Sequence, residues 1–446
     1  MTLARDVAAR VLQRVETERA FAAAVLEFEL TRSAQLSPRD HALTTELVYG
    51  SLRVMPWLLE RLLRFAPKGI GKLDPRVRAH LVIAAYEITF TRVPAFAAVH
   101  EAVDAIRTIR GDRMAAFANA ILRKLSADVS SIDDDARAQA LVASAPAWLR
   151  EALARDLSPD GADAFFRAGA APPAVTLRVE APEQRLRWKR ELESAAPNAR
   201  FEEGRVSPLA ILMRGGGKPQ RLPGWEEGAW SVQEEGAQLA ALAVGARRGE
   251  SVLDACAGRG NKTAILARAT GEEGAVDAAD ALPSKLQRLR EDLARLRLQP
   301  RSTYAVDWRV GSGEVVGSYD RVLVDAPCSG IGTLRRRPEI ALRRRREDLT
   351  TLAATQIAIA ARAAEHVRPG GTLVYVVCSV LREECEDVIE ALIRARPELA
   401  PDPFGSQAAA VAAVAGAHAS SFRLLPHVHA TDGYFVAQLR SRGPTL

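Results

Sequence analysis

No stretch of this chain stays apolar for the roughly 20 residues that a bilayer-spanning helix needs. Its first 15 residues carry Arg5, Asp6, Arg10 and Arg14 through the apolar pattern instead of the bare core of a secretion signal. Both absences lead us to expect a cytoplasmic protein with no membrane partner. Cysteine is scarce: four in 446 residues, at positions 256, 328, 378 and 385. So few thiols make a disulfide framework unlikely for a reducing compartment. No pair of them has zinc-ligand spacing with a matching second pair, so no metal is expected. What is present is ordinary for a globular protein, 48% hydrophobic and 26% charged residues. A chain of 446 residues exceeds a single core and predicts two or three domains. The net charge is +6, which suits a polyanionic partner without proving one.

Along the chain the pattern changes twice. Residues 1–126 read as a helical bundle: Val7, Val11, Leu12 and Val15 share one helical face, and Ser37-Pro38-Arg39-Asp40 has the form of a capping box with proline in the first turn. That helix is expected to run to Gly50, followed by helices over 57–65, 75–90, 99–109 and 113–125. Residues 127–145, with the acidic run Asp133-Asp134-Asp135, read as a linker. Residues 146–227 mix helix with short strands such as 175–179 and 210–213, which predicts a small α+β module. From residue 228 to 446, apolar strands at 251–254, 275–280, 321–325 and 372–377 alternate with helical segments. Such alternation means a parallel, doubly wound, Rossmann-like sheet, closed here by a hairpin over 422–439.

The first of these strands enters Asp254-Ala-Cys256-Ala257-Gly258-Arg259-Gly260-Asn261-Lys262-Thr263. A strand, a glycine turn and a helix present backbone to a nucleotide-like ligand. The third glycine of a dinucleotide loop and the phosphate-loop spacing are both missing, so S-adenosylmethionine fits better than NAD or ATP. Asp280 closes the next strand, where an acid accepts from both ribose hydroxyls, and Asp307 follows a third strand within reach of an adenine amino group.

The fourth strand ends in Asp325-Ala-Pro-Cys328-Ser329 and the fifth in Cys378-Ser379. Ligands bind beyond the carboxyl ends of such strands, so two thiols and a carboxylate should converge there. Carbon 5 of a pyrimidine is a poor nucleophile. A thiolate adding at C6 makes C5 reactive, a proton is needed at N3, which a buried and protonated Asp325 can give, and a base must then remove the C5 proton. Cys328 is placed for that last task.

These residues resemble the RNA cytosine-C5 methyltransferase family, a class I methyltransferase group in which Pro-Cys-Ser-Gly (here 327–330) and a Thr-Cys-Ser-type strand end (here Cys378-Ser379, after Val377) are hallmark motifs. The match runs on through Gln233, Leu334–Ile340, Pro369-Gly370-Gly371, Glu383-Glu384 and the stretch from Pro426 to Phe435. Residues 4–125 are similar to the domain of the antitermination factor NusB, through Ser37–Asp40, Leu47–Gly50 and Phe117–Arg123. A NusB-like, RNA-binding domain joined to this methyltransferase resembles the RsmB (Sun/Fmu) type. That resemblance implies 16S ribosomal RNA as substrate, Cys378 as nucleophile, Cys328 as the residue that assists product release, and 256–262, Asp280, Asp307 and Asp325 as contacts to S-adenosyl-L-methionine or the target base. The sequence departs from it in two places: Gly258-Arg259 and Asn261 replace the usual Ala-Pro and second Gly of the donor loop, and Cys385 stands where Asn is common, which gives it a structural reading.

Arg335–Arg337 and Arg343–Arg346 follow the first cysteine motif and suit RNA phosphates. His427 and His429 lack a third ligand and read as packing residues. The resulting expectation is a monomeric rRNA methyltransferase. One alternative keeps the chemistry on transfer RNA. Another is a non-catalytic RNA-binding or antitermination factor.

Overall fold

The computed structural model describes residues 3–33, 35–67, 69–128, 134–405, 409–416 and 418–442. They fall into two compact units, Met1–Pro172 with Leu334–Arg344, and Pro173–Thr333 with Arg345–Leu446.

Among the described residues the first unit is built from helices, and its return segment carries the short helix Glu339–Arg343. Ser37 accepts from the Asp40 amide while the Asp40 carboxylate accepts from Ser37, so the expected capping box starts the helix Pro38–Phe65. This helix does not stop at Gly50. It kinks at Val54, where the following Pro56 supplies no amide donor, and continues for another two to three turns. Gly50 serves a different purpose: a Cβ there would lie 2.2 Å from the Tyr86 ring, so its bare backbone lets helix Pro75–Phe90 come close. Ala95–Asp128 is two helices joined at Gly111, whose φ of +76° only glycine adopts at little cost. Val7, Val11, Leu12, Leu47, Leu58, Leu62, Val77, Leu81 and Leu122 form the buried centre.

The boundaries expected at 126, 145 and 227 are not those of the compact units. Residues 134–144 form a helix, with Ala138 and Ala140 buried, that packs against Pro38–Phe65, because its alanine-rich face is apolar enough to be covered. Helices Ala147–Leu157 and Pro159–Arg167 continue the same unit. Residues 129–133, including Asp133, lie outside the described residues.

Leu334–Arg344 returns to this unit as a strap. The Ala22 amide donates to Glu339 at 3.1 Å, Arg53 donates to the Arg335 carbonyl at 3.1 Å, and Arg343 donates to the Ala20 carbonyl while its guanidinium covers the Phe21 ring at 5.2 Å. Part of the arginine run read as a phosphate grip is therefore occupied in holding the strap to the helices.

The second unit contains two sheets. The smaller has β1 (Val175–Val179), β2 (Arg200–Glu203), β3 (Ala210–Arg214) and β4 (Trp230–Val232) in the order β2-β3-β1-β4, all antiparallel. Leu177, Ile211, Met213 and the fully buried Trp230 make its core, which runs on to Ala241 and Ile265 of helices Glu235–Leu242 and Asn261–Thr270. The expected α+β module thus shares a core with the sheet that follows it.

The larger sheet is built from β5 (Ser251–Asp254), β6 (Ala275–Asp280), β7 (Ser302–Ala305), β8 (Tyr319–Asp325), β9 (Val367–Val377), β10 (Leu399–Pro401), β11 (Ser421–Leu424) and β12 (Tyr434–Ser441). Its order is β10-β12-β9-β8-β5-β6-β7, with β11 on β12. The pairs among β5 to β9 are parallel, and β12 runs antiparallel to β9, which confirms the Rossmann-like reading. Val252, Leu253, Val322, Leu323, Val324 and Leu373–Val377 are fully buried, as a sheet covered on both faces requires. The strand order reverses between β5 and β8, and a crevice opens at the carboxyl ends of the strands at such a reversal.

Candidate active site

Every residue expected to carry chemistry lies at that edge. β5 delivers Asp254 and Cys256, β6 Asp280, β7 Asp307, β8 Asp325 and Cys328, and β9 Cys378. The two thiols meet: Cys328 Sγ lies 3.1 Å from Cys378 Sγ. Cys328 is held protonated, its pKa pushed well up by its hydrogen bond to Cys378 and then by burial. Either sulfur can be the donor in that contact.

Asp325 is less buried than expected. Its side chain is 31% exposed and pairs with Lys262 Nζ at 2.5 Å. Burial pulls the Lys262 ammonium down, but the Asp325 carboxylate, with Asp254 behind it, outweighs that and raises its pKa. The residue able to hold a proton beside the thiols is thus a lysine–aspartate pair, with the Tyr434 ring 5.9 Å from the ammonium.

Asp280 ties the glycine loop to the turn that follows β6. The Gly258 amide donates to Asp280 Oδ2 at 3.1 Å, and the Leu282 amide donates to Asp280 Oδ1 at 2.9 Å. Gly258 (φ +56°) and Gly260 (φ +83°) are both left-handed, and a Cβ on Gly258 would meet no atom within 4 Å, so open space adjoins the loop. Ala257 donates to the Ala279 carbonyl and Gly260 to the Ala257 carbonyl, which fixes the turn. An exposed loop backbone, with a carboxylate that keeps lone pairs for further donors, fits a nucleoside donor such as S-adenosylmethionine. The Cys256 thiol is kept neutral by burial and by the neighbouring carboxylates of Asp254, Asp325 and Asp280.

Two expected contacts are engaged elsewhere. Arg259 is exposed and pairs with Asp292 at 3.0 Å, so its side chain is turned to a neighbouring helix. Asp307 pairs with Arg309, which lowers its carboxyl to about 2. An adenine amino group there would share the carboxylate with that guanidinium. Of Asn261, the backbone carbonyl does the visible work, accepting from Arg178.

Arg178 itself was not legible as a site residue. It is 1% exposed on β1, donates to the Asn261 carbonyl at 2.7 Å and to Gln233 at 2.8 Å, and pairs with Glu180 at 2.9 Å. The small sheet thereby anchors the start of the helix after the donor loop. A buried arginine in an otherwise apolar strand, Val-Thr-Leu-Arg-Val, was the available signal. Glu384 was noticed only as part of a motif, and its carboxylate accepts from both serines that follow the cysteines. Cys385, fully buried, lies 3.7 Å from the Ser379 carbonyl, in keeping with a structural role. His429 accepts from the Leu425 amide, a packing contact. Among the described residues no group of three or more His, Cys, Asp or Glu is placed to hold a metal ion.

Comparison with known proteins agrees with this geometry. Residues 2–127 match the NusB family, and residues 241–440 match the family of 16S rRNA methyltransferase RsmB/F. Over almost its full length the chain is 32% identical to the probable ribosomal RNA small subunit methyltransferase B of Bacillus subtilis (strain 168), with 99% of each chain covered. It is also 32% identical to the ribosomal RNA small subunit methyltransferase B of Vibrio cholerae serotype O1, over 91% of this chain and 90% of that one. In fold it resembles the crystal structure of PH0851, with a TM-score of 0.79, 23% identity and coverage of 98% of this chain and 99% of that one. It also resembles NSun6 from Pyrococcus horikoshii with SFG, with a TM-score of 0.57, 18% identity and coverage of 67% and 99%.

Proposed function

The chain belongs to the RsmB/F family of rRNA methyltransferases, and from that premise we propose that it methylates C5 of one cytosine in 16S ribosomal RNA through a covalent bond between Cys378 and C6 of the base. The observation that carries this reading is the 3.1 Å approach of two sulfurs from adjacent strand ends, beside the Lys262–Asp325 pair and the open glycine loop. A non-catalytic role falls with the family membership.

Residues 256–262 would hold S-adenosyl-L-methionine, with Asp280 available to its ribose and Asp307 to its adenine, and it would supply the methyl group. The chain supplies everything else. The Cys378 thiolate adds to C6, forming an S–C bond and pushing the ring electrons through C5 and C4 to N3. The Lys262–Asp325 pair gives N3 the proton that this charge needs. C5, now the carbon of an enamine, takes the methyl group. Once the Cys378 sulfur is bonded to carbon and the methyl group is in place, Cys328 gives its proton to solvent and, as a thiolate, takes the C5 proton, while N3 returns its proton to the Lys262–Asp325 pair. The electrons of that C–H bond rebuild C5=C6 and expel the Cys378 thiolate.

The NusB-like helices, in this reading, bind the folded RNA, and one chain carries every group named. The test is a pair of variants assayed with labelled donor on a 16S transcript and on bulk transfer RNA. Cys378→Ala should abolish transfer, and Cys328→Ala should accumulate a protein–RNA adduct that survives a denaturing gel. Full activity of Cys378→Ala would refute the mechanism. Methyl transfer to transfer RNA alone would move the substrate.

A further inference from the structure

We infer that Glu384 is a positioning residue that sets the separation of the two catalytic sulfurs by holding both of their loops on one buried carboxylate. Glu384 is completely buried. Its Oε2 accepts from Ser329 Oγ at 2.5 Å and Ser379 Oγ at 2.6 Å, and its Oε1 accepts from the Ser329 amide at 2.7 Å and Gln356 Nε2 at 2.9 Å. Each serine directly follows a cysteine of the pair. The carboxylate is thus one residue away from each sulfur on the two strand-end loops, and nothing else among these contacts touches both.

Four donors converge on one buried carboxylate, so its acceptor positions are taken up by the two loops and Gln356. The platform beneath it is equally fixed. Gln356 also donates to the Pro327 carbonyl at 3.0 Å, and the Tyr375 hydroxyl donates to Gln356 at 3.0 Å and to the Glu384 carbonyl at 2.8 Å. Apart from the main-chain bond of Gly332 to the Cys378 carbonyl at 3.0 Å, the two loops would be joined only by the serine hydroxyls, 3.4 Å apart.

The inference rests on the reading that both thiols act in turn on one base. C5 and C6 are bonded neighbours, so the base that removes the C5 proton must sit in contact with the sulfur that attacks C6, as the 3.1 Å separation allows. A clamp that holds the sulfurs together supplies that constraint, and proton removal is the step most exposed to its loss.

The experiment uses the full chain with Glu384→Gln. An amide can hold both serines only with each hydroxyl turned round to accept, and otherwise releases a loop, so the clamp is weakened. Donor affinity, read by calorimetry, should stay within about twofold, because the glycine loop makes none of these contacts. Turnover should fall at least about tenfold with the KM for RNA nearly unchanged, and adduct should persist longer than in the parent. Ser329→Ala combined with Glu384→Gln should cost little beyond Glu384→Gln alone, since both break the same contacts. If Glu384→Gln is poorly folded, Ser379→Ala, which removes one hydroxyl, carries the same adduct and turnover readouts. Unchanged turnover, a parallel fall in donor affinity and turnover, or fully additive serine and glutamate effects would each overturn the clamp. Failure of the covalent mechanism would instead show as activity surviving Cys378→Ala, with Glu384 intact.

Discussion

Asp254 ends β5 with its carboxyl completely enclosed, one oxygen accepting from Thr263 Oγ1 at 2.7 Å and the other without a hydrogen-bond partner. Burial raises its pKa from 3.8 to about 7, against the pull of the Thr263 hydrogen bond. The stability consequence has a definite sign. Below pH 4 both folded and unfolded chains hold this proton, and it contributes nothing. Between about 4 and 7 only the folded chain keeps it, so rising pH favours unfolding, and above 7 the penalty is complete at a few kcal/mol. Asp254→Asn should therefore gain in melting temperature relative to the parent as pH rises from 4 to 7, and hold that gain above 7. Parallel melting curves across that range would refute the assignment.

At the scale of elements, close backbone approaches decide more than side-chain chemistry does. Gly332 donates to the Cys378 carbonyl at 3.0 Å and accepts from the Gly433 amide at 2.7 Å, and a Cβ on Gly332 would lie 2.1 Å from the Gly433 oxygen. That obstacle is main chain and cannot swing aside. Gly332→Ala should move the loop that carries Cys328, lowering turnover at least about tenfold, which corresponds to about 1.4 kcal/mol at the transition state. Gly50→Ala meets the buried Tyr86 ring instead and should lower stability by about 1–3 kcal/mol, leaving donor binding unchanged. Thermal melts and labelled-donor assays separate the two.

The same distinction explains what could be seen in the sequence. The capping box at Ser37 and the strand ends at Asp254, Asp280, Asp325 and Cys378 are local patterns, and the structure places them where the pattern does. Gly50 looked like a helix end because a glycine's meaning depends on what approaches it, here a tyrosine 36 positions away. Strands β2, β4 and β10, of three or four residues, exist through pairing with distant partners and have no periodicity of their own. The convergence of two thiols followed from sheet topology. Glu384 and Arg178 did not, because a charge in the interior is defined by its partners, and those come from five separate segments.

On the scale of the whole molecule, the strap is the feature to test. Glu339 and Ile340 are buried, and their surroundings belong to the helical unit. A fragment beginning at Pro173 keeps the strap but loses the helices that seat it. Trypsin should then cut rapidly at the arginines between 335 and 344, whereas the intact chain should resist there. Equal cutting rates would show that the seat does not order the segment.

The order in which the ribosome delivers this chain makes that seat an early liability. The helices around Ala20, Ala22 and Arg53 are complete once 172 residues have emerged, yet the segment that covers them follows only after another 161 residues, beginning at Leu334. No single cut in the gene separates one unit from the other. An exchange of N-terminal halves between relatives would hand each hybrid a seat from one parent and a strap from the other, so viable hybrids should be those in which the two were inherited together.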